Sequence, residues 1–278
     1  MMEDSLSGDR LFLIGSEATH AMSPSLWNPV LEQLGSRWQY EGWDVPAGAD
    51  MASVRSRLLE DDVVAANVTM PHKQWAAHAA GEVSESVRLS GAANLLIGKG
   101  NELTAHNTDI TAVAELVGGN QRHALMLGAG GAARAALVAL RDRVVQVTVA
   151  DRDDQAAAGL AALASGLGIA AKAVSWAEAQ AQAQSASIIV NATPIGKRAN
   201  DEPVWGRTAL TPDTFVYDFV YAGHVTATIS AARRQRLECA DGWDHLQAQA
   251  AAMVPLLGLA SQAYGLLGET LLDIRARS

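Results

Sequence analysis

Apolar and polar positions alternate along the chain in two ways, one typical of buried strands and one typical of amphipathic helices. In the first hundred residues, apolar runs predict strands over residues 10–15, 38–45 and 63–68. The stretches between them predict helices over residues 23–34 and 51–60. Alternation of strands and helices is typical of a parallel sheet covered by helices, so we expect an α/β fold.

The alternation continues in the second part of the chain. After a predicted helix over residues 108–117, strands are predicted near residues 124–127, 145–150, 187–190 and 215–218. Alanine-rich segments at residues 155–164 and 176–185 predict helices between them. From Asp241 onward the sequence predicts a long apolar helix and no strand. We expect this last segment to fold back onto the first unit.

A glycine turn follows the first strand of this second part. It consists of five small residues that open a helix: Gly128, Ala129, Gly130, Gly131 and Ala132. Such a turn lets backbone N–H groups approach a pyrophosphate at the positive end of the helix. Asp151 and Arg152 follow the next strand, where a carboxylate reaches an adenosine ribose. The pattern predicts a site for a nicotinamide or flavin dinucleotide, and a purely structural turn is the alternative.

Composition narrows the class of protein. The 278 residues are enough for two domains, and 49% hydrophobic with 18% charged residues is typical of a globular chain. A net charge of -9 argues against binding to nucleic acid, which requires clustered lysine and arginine.

Three features of the sequence bear on where the protein resides. The single cysteine, Cys239, excludes an internal disulfide and a cysteine-only metal site, as expected in a reducing cytosol. Residues 1–10 are polar and acidic, which predicts no signal peptide. The longest apolar stretch, residues 250–268, is interrupted by Pro255 and Gly258, which a membrane span tolerates poorly. We therefore expect a cytoplasmic protein with no membrane partner and no metal.

Polar side chains at two strand ends are suited to proton transfer. Residues 66–73 end in Lys73, and residues 106–109 end in Asp109. A lysine can protonate a carbonyl oxygen or deprotonate an alcohol while hydride moves from or to a nicotinamide, and a neighbouring carboxylate can orient the lysine. The residues alone leave a second interpretation open, in which both side chains are solvated or cap helices.

Seven segments, in order, resemble the motifs of the shikimate dehydrogenase family. They are residues 20–24 with Asn28, then residues 67–73, 91–94, 107–109, 191–196, 217–221 and 242–251. The resemblance extends over nearly the whole chain. It implies the reversible NAD(P)-dependent reduction of 3-dehydroshikimate to shikimate, in the route to chorismate and the aromatic amino acids. It also implies a substrate domain over residues 1–107, completed by residues 245–278, that faces a Rossmann domain over residues 108–244 across a cleft.

The resemblance assigns roles to particular residues. It implies that Lys73 and Asp109 form the catalytic pair. With Asp109, the implied substrate ligands are Ser23, Asn67, Thr69, Asn94, Tyr221 and Gln249. Besides the glycine turn, Asp151 and Arg152, the implied cofactor-binding residues are Asn191, Thr193, Pro194 and Gly242. Ser23 followed by Pro24 also has the pattern of a helix N-cap with proline at the first helical position.

The chain departs from the family pattern at four places. Ala21 stands where the family usually has serine, which removes a donor to the substrate carboxylate unless water or His245 replaces it. Asp244 and His245 stand where the family usually has a small residue and methionine. Lys197 replaces an apolar residue after the loop at residues 191–196. Finally, Asp151 and the residues after it are acidic and Ala156 replaces a second basic residue, whereas members that use NADP have Asn-Arg-(Thr/Ser) here.

These departures leave the ligands open. NADP is the family default, whereas Asp151 favours NAD because a carboxylate repels a 2′-phosphate. The resemblance implies a cyclic polyol acid as the substrate. Shikimate is the first candidate, and quinate or a substituted shikimate is the alternative. A dinucleotide-binding protein without activity is a third interpretation, and intact Lys73 and Asp109 argue against it. We expect a monomer or a homodimer.

Overall fold

The structure is a computed structural model that describes residues 9–119 and 122–277. The described chain divides into two compact units. Unit 1 contains the residues up to Thr108 and those from Gln249 onward, and unit 2 contains Asp109–Ala248. Most of the acidic start, which led us to expect no signal peptide, lies outside the described residues. Within the described ranges, no helix is long and apolar enough to cross a membrane.

Unit 1 is built on a six-stranded sheet with the order β2-β1-β3-β5-β6-β4. Its strands are β1 (Arg10–Gly15), β2 (Gln39–Asp44), β3 (Val63–Val68), β4 (Glu82–Val83), β5 (Leu95–Lys99) and β6 (Glu102–His106). Its first helices are α1 (Ser23–Gln33), α2 (Met51–Leu58), α3 (Lys73–Ala79) and α4 (Glu85–Ser90). The sheet buries an apolar face that includes Phe12, Ile14 and Val68.

Unit 2 has a parallel sheet with the order β12-β11-β10-β7-β8-β9. Its strands are β7 (His123–Leu127), β8 (Gln146–Ala150), β9 (Ala170–Ala173), β10 (Ile188–Asn191), β11 (Phe215–Asp218) and β12 (Cys239–Ala240). The helices are α5 (Thr108–Leu116), α6 (Gly131–Leu140), α7 (Asp154–Gly166), α8 (Trp176–Gln182) and α9 (Ala227–Arg234). This is the order of a doubly wound dinucleotide-binding domain, in which ligands bind at the carboxyl ends of the strands where the order reverses.

Both faces of the unit 2 sheet are covered. Met126 of β7 packs into one apolar cluster, and its neighbours Leu125 and Leu127 pack into another on the opposite face. Successive side chains of a strand point to opposite faces, so a strand that is buried on both sides has a continuous apolar sequence. That is why the apolar run over residues 124–127 predicted this strand to within one residue.

The last part of the chain corrects one prediction. Instead of one long helix, the structure has α10 (Gly242–Leu256) and α11 (Gln262–Arg277). Gly258, with φ of +65°, lies in the turn between them, where most other residues would be strained. The return to unit 1 is confirmed, since α11 packs on α1. The division between the units falls after Ala248, inside α10, and not at the predicted residue 245.

The expectation of a fully parallel sheet is wrong for unit 1. Strand β5 runs antiparallel to both β3 and β6. The strands β5 and β6 form a hairpin whose turn contains Gly100 at φ of +60°. The hydrophobic pattern predicted neither of these two strands. The α/β fold class itself is confirmed.

Candidate functional site

A loop from β1 to α1 carries the first predicted substrate ligand, Ser23. The loop is fastened to the end of β2, because Asp44 accepts hydrogen bonds from the backbone N–H of Thr19 at 2.9 Å and from its hydroxyl at 2.7 Å. These hydrogen bonds hold the pKa of Asp44 below its ordinary value. The anchored loop keeps residues 18–22 in one conformation ahead of α1.

Ser23 is not the N-cap that the sequence predicted. Helix α1 begins at Ser23 itself, Met22 occupies the N-cap position, and no side chain caps the helix. The backbone of Met22 already has the helical conformation, so the helix starts one residue early. Ser23 is buried at 6% exposure. Its hydroxyl is therefore not explained by capping, which favours the ligand role over the structural one.

Four polar side chains of unit 1 form a continuous hydrogen-bonded group, which we call the amide network: Asn67, Asn94, Thr108 and Gln249. Asn67 donates to the carbonyl oxygen of Asn94 at 3.0 Å. The Asn94 side chain accepts from the backbone N–H of Thr108 at 2.7 Å and donates to its hydroxyl at 2.9 Å. That hydroxyl lies 3.4 Å from Gln249 Oε1. Three predicted ligands, Asn67, Asn94 and Gln249, are thus brought together.

Tyr40 supports this network and was missed by the sequence analysis. Its phenol donates a short hydrogen bond to Asn67 Oδ1. Its backbone is fixed in turn by Asn28, whose side chain accepts from Tyr40 N at 2.8 Å and donates to Tyr40 O at 3.0 Å. Tyr40 is in a strand position that is typical of core residues, so nothing in the sequence marked it. Thr108 was also assigned no role, although it stands inside the motif at residues 107–109.

Lys73 and Thr69 lie on the loop that follows β3. The backbone N–H of Thr69 donates to Ile14 O at 2.8 Å, which fastens the loop beside the end of β1. The ring of His72 is 2.7 Å from Val45 O and is buried. Lys73 begins α3, is half-buried, and its carbonyl accepts from Ala93 N at 2.8 Å. Lys73 therefore sits on a rigid support beside the segment that carries Asn94.

The glycine turn of unit 2 leads from β7 into the N-terminus of α6. Gly128 has φ of +99°, and a Cβ there would lie 2.7 Å from Ala192 O, so only glycine is accommodated. Gly130 differs, since a Cβ would meet no protein atom within 4 Å. Gly130 is the N-cap of α6, with no side-chain cap. The open space in front of uncapped N–H groups suits a phosphate, so the turn fits a dinucleotide.

Asp151 is partly exposed, and its carboxylate accepts two hydrogen bonds from this chain's own backbone. Its Oδ2 accepts from Ala129 N at 2.7 Å and its Oδ1 accepts from Asp153 N at 2.9 Å. The carboxylate thus joins the glycine turn to the loop after β8. Arg152 beside it is exposed. The negative charge remains at the strand end, but its hydrogen bonds are with this chain's own backbone.

Asn191 shapes the next loop and has no side-chain group left for a cofactor. Its amide donates to Ile195 O at 2.9 Å and to Asp218 Oδ1 at 2.8 Å. Its oxygen accepts from the backbone N–H and the hydroxyl of Thr193. Burial raises the pKa of Asp218 to about 6, against the opposing hydrogen bonds from Thr226, Val220 and Asn191. The prediction that the Asn191 side chain contacts the cofactor is therefore corrected. On the same loop, Pro194 is exposed and Thr193 is partly exposed.

The first turn of α10 gives a structural role to Asp244, one of the residues that depart from the family pattern. Asp241 accepts from Trp243 N at 3.0 Å and from Asp244 N at 3.1 Å, and Asp244 accepts from Asp241 N at 2.9 Å. This is a reciprocal cap in which Asp244 is the third residue of the helix. At Gly242, a Cβ would lie 2.5 Å from Tyr221 N. Close packing against this helix therefore requires the glycine, and the Tyr221 ring lies 5.8 Å from that of Trp243.

Asp109, Tyr217 and His245 form a second polar group, which we call the imidazole cluster. His245 Nε2 lies 3.2 Å from Asp109 Oδ1, and His245 Nδ1 lies 2.7 Å from the Tyr217 hydroxyl. All three side chains are buried. Burial raises the pKa of Tyr217 well above its ordinary value, and Asp109 and Asp244 act in the same direction. No role was predicted for Tyr217, and His245 was predicted to lie near the nicotinamide or to replace the missing serine hydroxyl, which stays a prediction.

The two polar groups belong to different units. Asn67, Asn94 and Gln249 are in unit 1 together with Ser23, Thr69 and Lys73. Asp109 and Tyr221 are in unit 2 with the predicted cofactor-binding residues. The pairing of Lys73 with Asp109 therefore stays a prediction.

Comparisons with known proteins agree on one family. Residues 13–96 match the model described as the shikimate dehydrogenase substrate binding domain. The NADP-dependent shikimate dehydrogenase of Methylocella silvestris is 36% identical over 250 residues, which cover 87% of this chain and 88% of that protein. The corresponding protein of Methylobacterium radiotolerans is 35% identical over 260 residues, covering 88% and 90%.

Solved structures are similar over almost the whole chain. Shikimate 5-dehydrogenase from Thermus thermophilus, in complex with NADP(H) and shikimate, is 28% identical with a TM-score of 0.79, covering 95% of this chain and 99% of that one. Quinate dehydrogenase from Corynebacterium glutamicum, in complex with NAD, is 27% identical with a TM-score of 0.84, covering 96% and 99%.

Proposed function

The chain belongs to the shikimate dehydrogenase family, and we propose that it interconverts shikimate and 3-dehydroshikimate. It is an oxidoreductase that acts on a CH–OH group with NAD or NADP. We assign substrate binding to unit 1 and cofactor binding to unit 2. A cytoplasmic location, supported by the single cysteine Cys239, and a monomeric or homodimeric state remain part of the proposal.

The observation that carries the proposal is the amide network of unit 1. A cyclic polyol acid presents hydroxyl groups that both donate and accept, and amide and hydroxyl side chains do the same. Asn67, Asn94 and Gln249 are held to one another or to Thr108 by hydrogen bonds, so their geometry is set before substrate arrives. Thr69, Ser23 and Tyr221 are the further proposed ligands.

Lys73 is proposed to act on the reacting oxygen. When the alcohol is oxidised, Lys73 takes the hydroxyl proton as a general base, and in the reverse direction it returns the proton to the carbonyl oxygen. The nicotinamide of the bound cofactor accepts or supplies the hydride. Asp109 orients the lysine and keeps its charge balanced. Lys73 opens α3 on a loop that is anchored by backbone hydrogen bonds.

The cofactor site is proposed at the glycine turn and the loop of residues 191–196. Uncapped N–H groups at the start of α6, in front of the open space at Gly130, suit the pyrophosphate. We propose NAD in preference to NADP, because Asp151, Asp153 and Asp154 place negative charge where a 2′-phosphate would lie. Arg152 acts against this preference, since arginine can hold a phosphate.

Quinate, or a substituted shikimate, is the second candidate substrate. It is favoured by Ala21, which lacks the usual hydroxyl, and by similarity to a quinate dehydrogenase in complex with NAD. His245 is poorly suited to replace that hydroxyl, because both ring nitrogens already face partners within unit 2. A water molecule is the better replacement.

The test is a rate measurement with the purified protein. Shikimate and quinate are each combined with NAD and with NADP, the absorbance of the reduced nicotinamide is followed, and the oxidised product is identified by mass spectrometry. We expect oxidation of shikimate with NAD. A faster reaction with quinate selects the second candidate, and no reaction in any combination contradicts the proposed function. Ala21→Ser sharpens the choice, since a restored donor to a charged group should lower the KM for shikimate by roughly 10- to 150-fold.

A further inference from the structure

The imidazole cluster contains a side chain that the family resemblance does not explain. His245 stands where the family usually has methionine, and its ring nitrogens lie 3.2 Å from Asp109 Oδ1 and 2.7 Å from the Tyr217 hydroxyl. A methionine thioether has no proton to donate and accepts only weakly. The contacts that connect Tyr217 through His245 to Asp109 therefore depend on the replacement of methionine by histidine at position 245.

The protonation states of the cluster follow from its partners. Burial raises the pKa of Tyr217, so the phenol keeps its proton at neutral pH. A phenol that donates to Nδ1 of a neutral imidazole leaves the ring's own proton on Nε2, which faces the Asp109 carboxylate. If the ring gains a second proton, that proton is on Nδ1. Nε2 can thus donate to Asp109 in both charge states of the ring.

The ring is held in place from several sides. The backbone N–H of His245 donates to Asp241 O at 3.0 Å within the first turn of α10. Asp241 and Asp244 cap this turn. The ring of Phe219 lies 4.6 Å from the imidazole. His245 has only 7% of its surface exposed. A side chain fixed in this way can hold its neighbour in one orientation.

We propose that His245 is a positioning residue that fixes the Asp109 carboxylate through an Nε2–H hydrogen bond, while Tyr217 sets the tautomer of the ring. The proposal rests on the proposed function, in which Asp109 orients Lys73. Without the imidazole, Asp109 loses this hydrogen bond, so turnover should fall while substrate and cofactor still bind.

The first experiment needs no substrate. Long-range proton–nitrogen NMR of the unliganded protein should find His245 with its proton on Nε2. The signal of this proton should move in Asp109→Asn, and the Nδ1 signal should move in Tyr217→Phe. A ring with its proton on Nδ1, or an Nε2 signal unchanged in Asp109→Asn, would overturn the proposal whatever the enzyme's substrate is.

The second experiment uses the substrate and cofactor on which the wild type is most active. His245→Met should lower kcat by about 10- to 100-fold, the usual loss when a hydrogen-bonding partner of a site residue is removed. KM values should change by less than about twofold, since ground-state binding is retained. His245→Gln keeps a donor and should recover part of the turnover.

The control is His123→Met, which removes another buried, hydrogen-bonded imidazole at the start of β7, at the opposite end of the strand from the glycine turn. It should lower stability while leaving kcat close to that of the wild type. If His245→Met does not fold, His245→Gln and Tyr217→Phe carry the kinetic test. An active wild type with unchanged kcat in these variants contradicts the positioning role alone. A wild type inactive with every substrate contradicts the proposed function instead.

Discussion

The polar groups of the two units differ in chemical kind. The amide network of unit 1 consists of amides and hydroxyls that do not change charge over the physiological pH range. The imidazole cluster of unit 2 contains a carboxylate, an imidazole and a phenol, and it includes Asp109, which we propose acts in turnover. We therefore expect changes in the amide network to alter mainly the affinity for substrate, and changes in the imidazole cluster to alter mainly turnover.

Among the residues of the two polar groups, Asp109 should give the largest effect. Asp109→Asn should lower kcat by about 10²-fold, at the lower end of the range for positioned acid–base groups. When Asp109→Asn is combined with Lys73→Ala, the increase in activation free energy should be smaller than the sum of the increases in the two single variants, if both residues act as one unit. Steady-state rates of the two single variants and the double variant measure this coupling. Losses that add fully would separate Asp109 from Lys73.

A smaller effect is expected at the cofactor end of unit 2. Asp151→Asn keeps an acceptor for Ala129 N but removes the charge. It should shift the ratio of kcat/KM values toward NADP by about tenfold, which corresponds to about 1.4 kcal/mol. Asp142→Asn, at an exposed carboxylate after α6, is the matched control. A wild type that prefers NADP by about tenfold would show that Arg152 outweighs Asp151.

The smallest effect should come from a matched pair of tyrosines. Tyr40→Phe removes one donor to the amide network, so the KM for substrate should rise by about 2- to 10-fold with kcat unchanged. Tyr217→Phe should instead lower kcat with KM unchanged. Tyr264→Phe, on the exposed side of α11, should change neither value. A lowered kcat in Tyr40→Phe would remove the distinction between the two units.

The sequence was most informative where burial or a motif dictates the residue. Strands β1, β3 and β11 have the predicted bounds because both of their faces are largely buried. The motifs singled out Asn94 and Gln249, and both lie in the amide network. The edge strand β9 was missed, since its four residues are mostly exposed and carry no alternating pattern.

Hydrogen bonds formed by turns were the part that the sequence could not supply. Asp151 and Asn191 were assigned to the cofactor by residue type, but the backbone turns around them take up their side chains. Ser23 was expected to cap α1, whose first turn begins at Ser23 itself. Tyr40 and Tyr217 occupy strand positions that are typical of core residues, so their hydroxyl partners emerge only once the strands are packed.

The most direct test of the account is to measure turnover and cofactor binding together in Lys73→Ala. If Lys73 acts on the reacting oxygen, kcat should fall by about 10²–10⁴-fold. The Kd of the reduced cofactor, measured by fluorescence titration, should change by less than about twofold, because the lost group acts only in the reaction itself. Near-normal turnover, or a loss that weaker cofactor binding explains completely, would contradict the account.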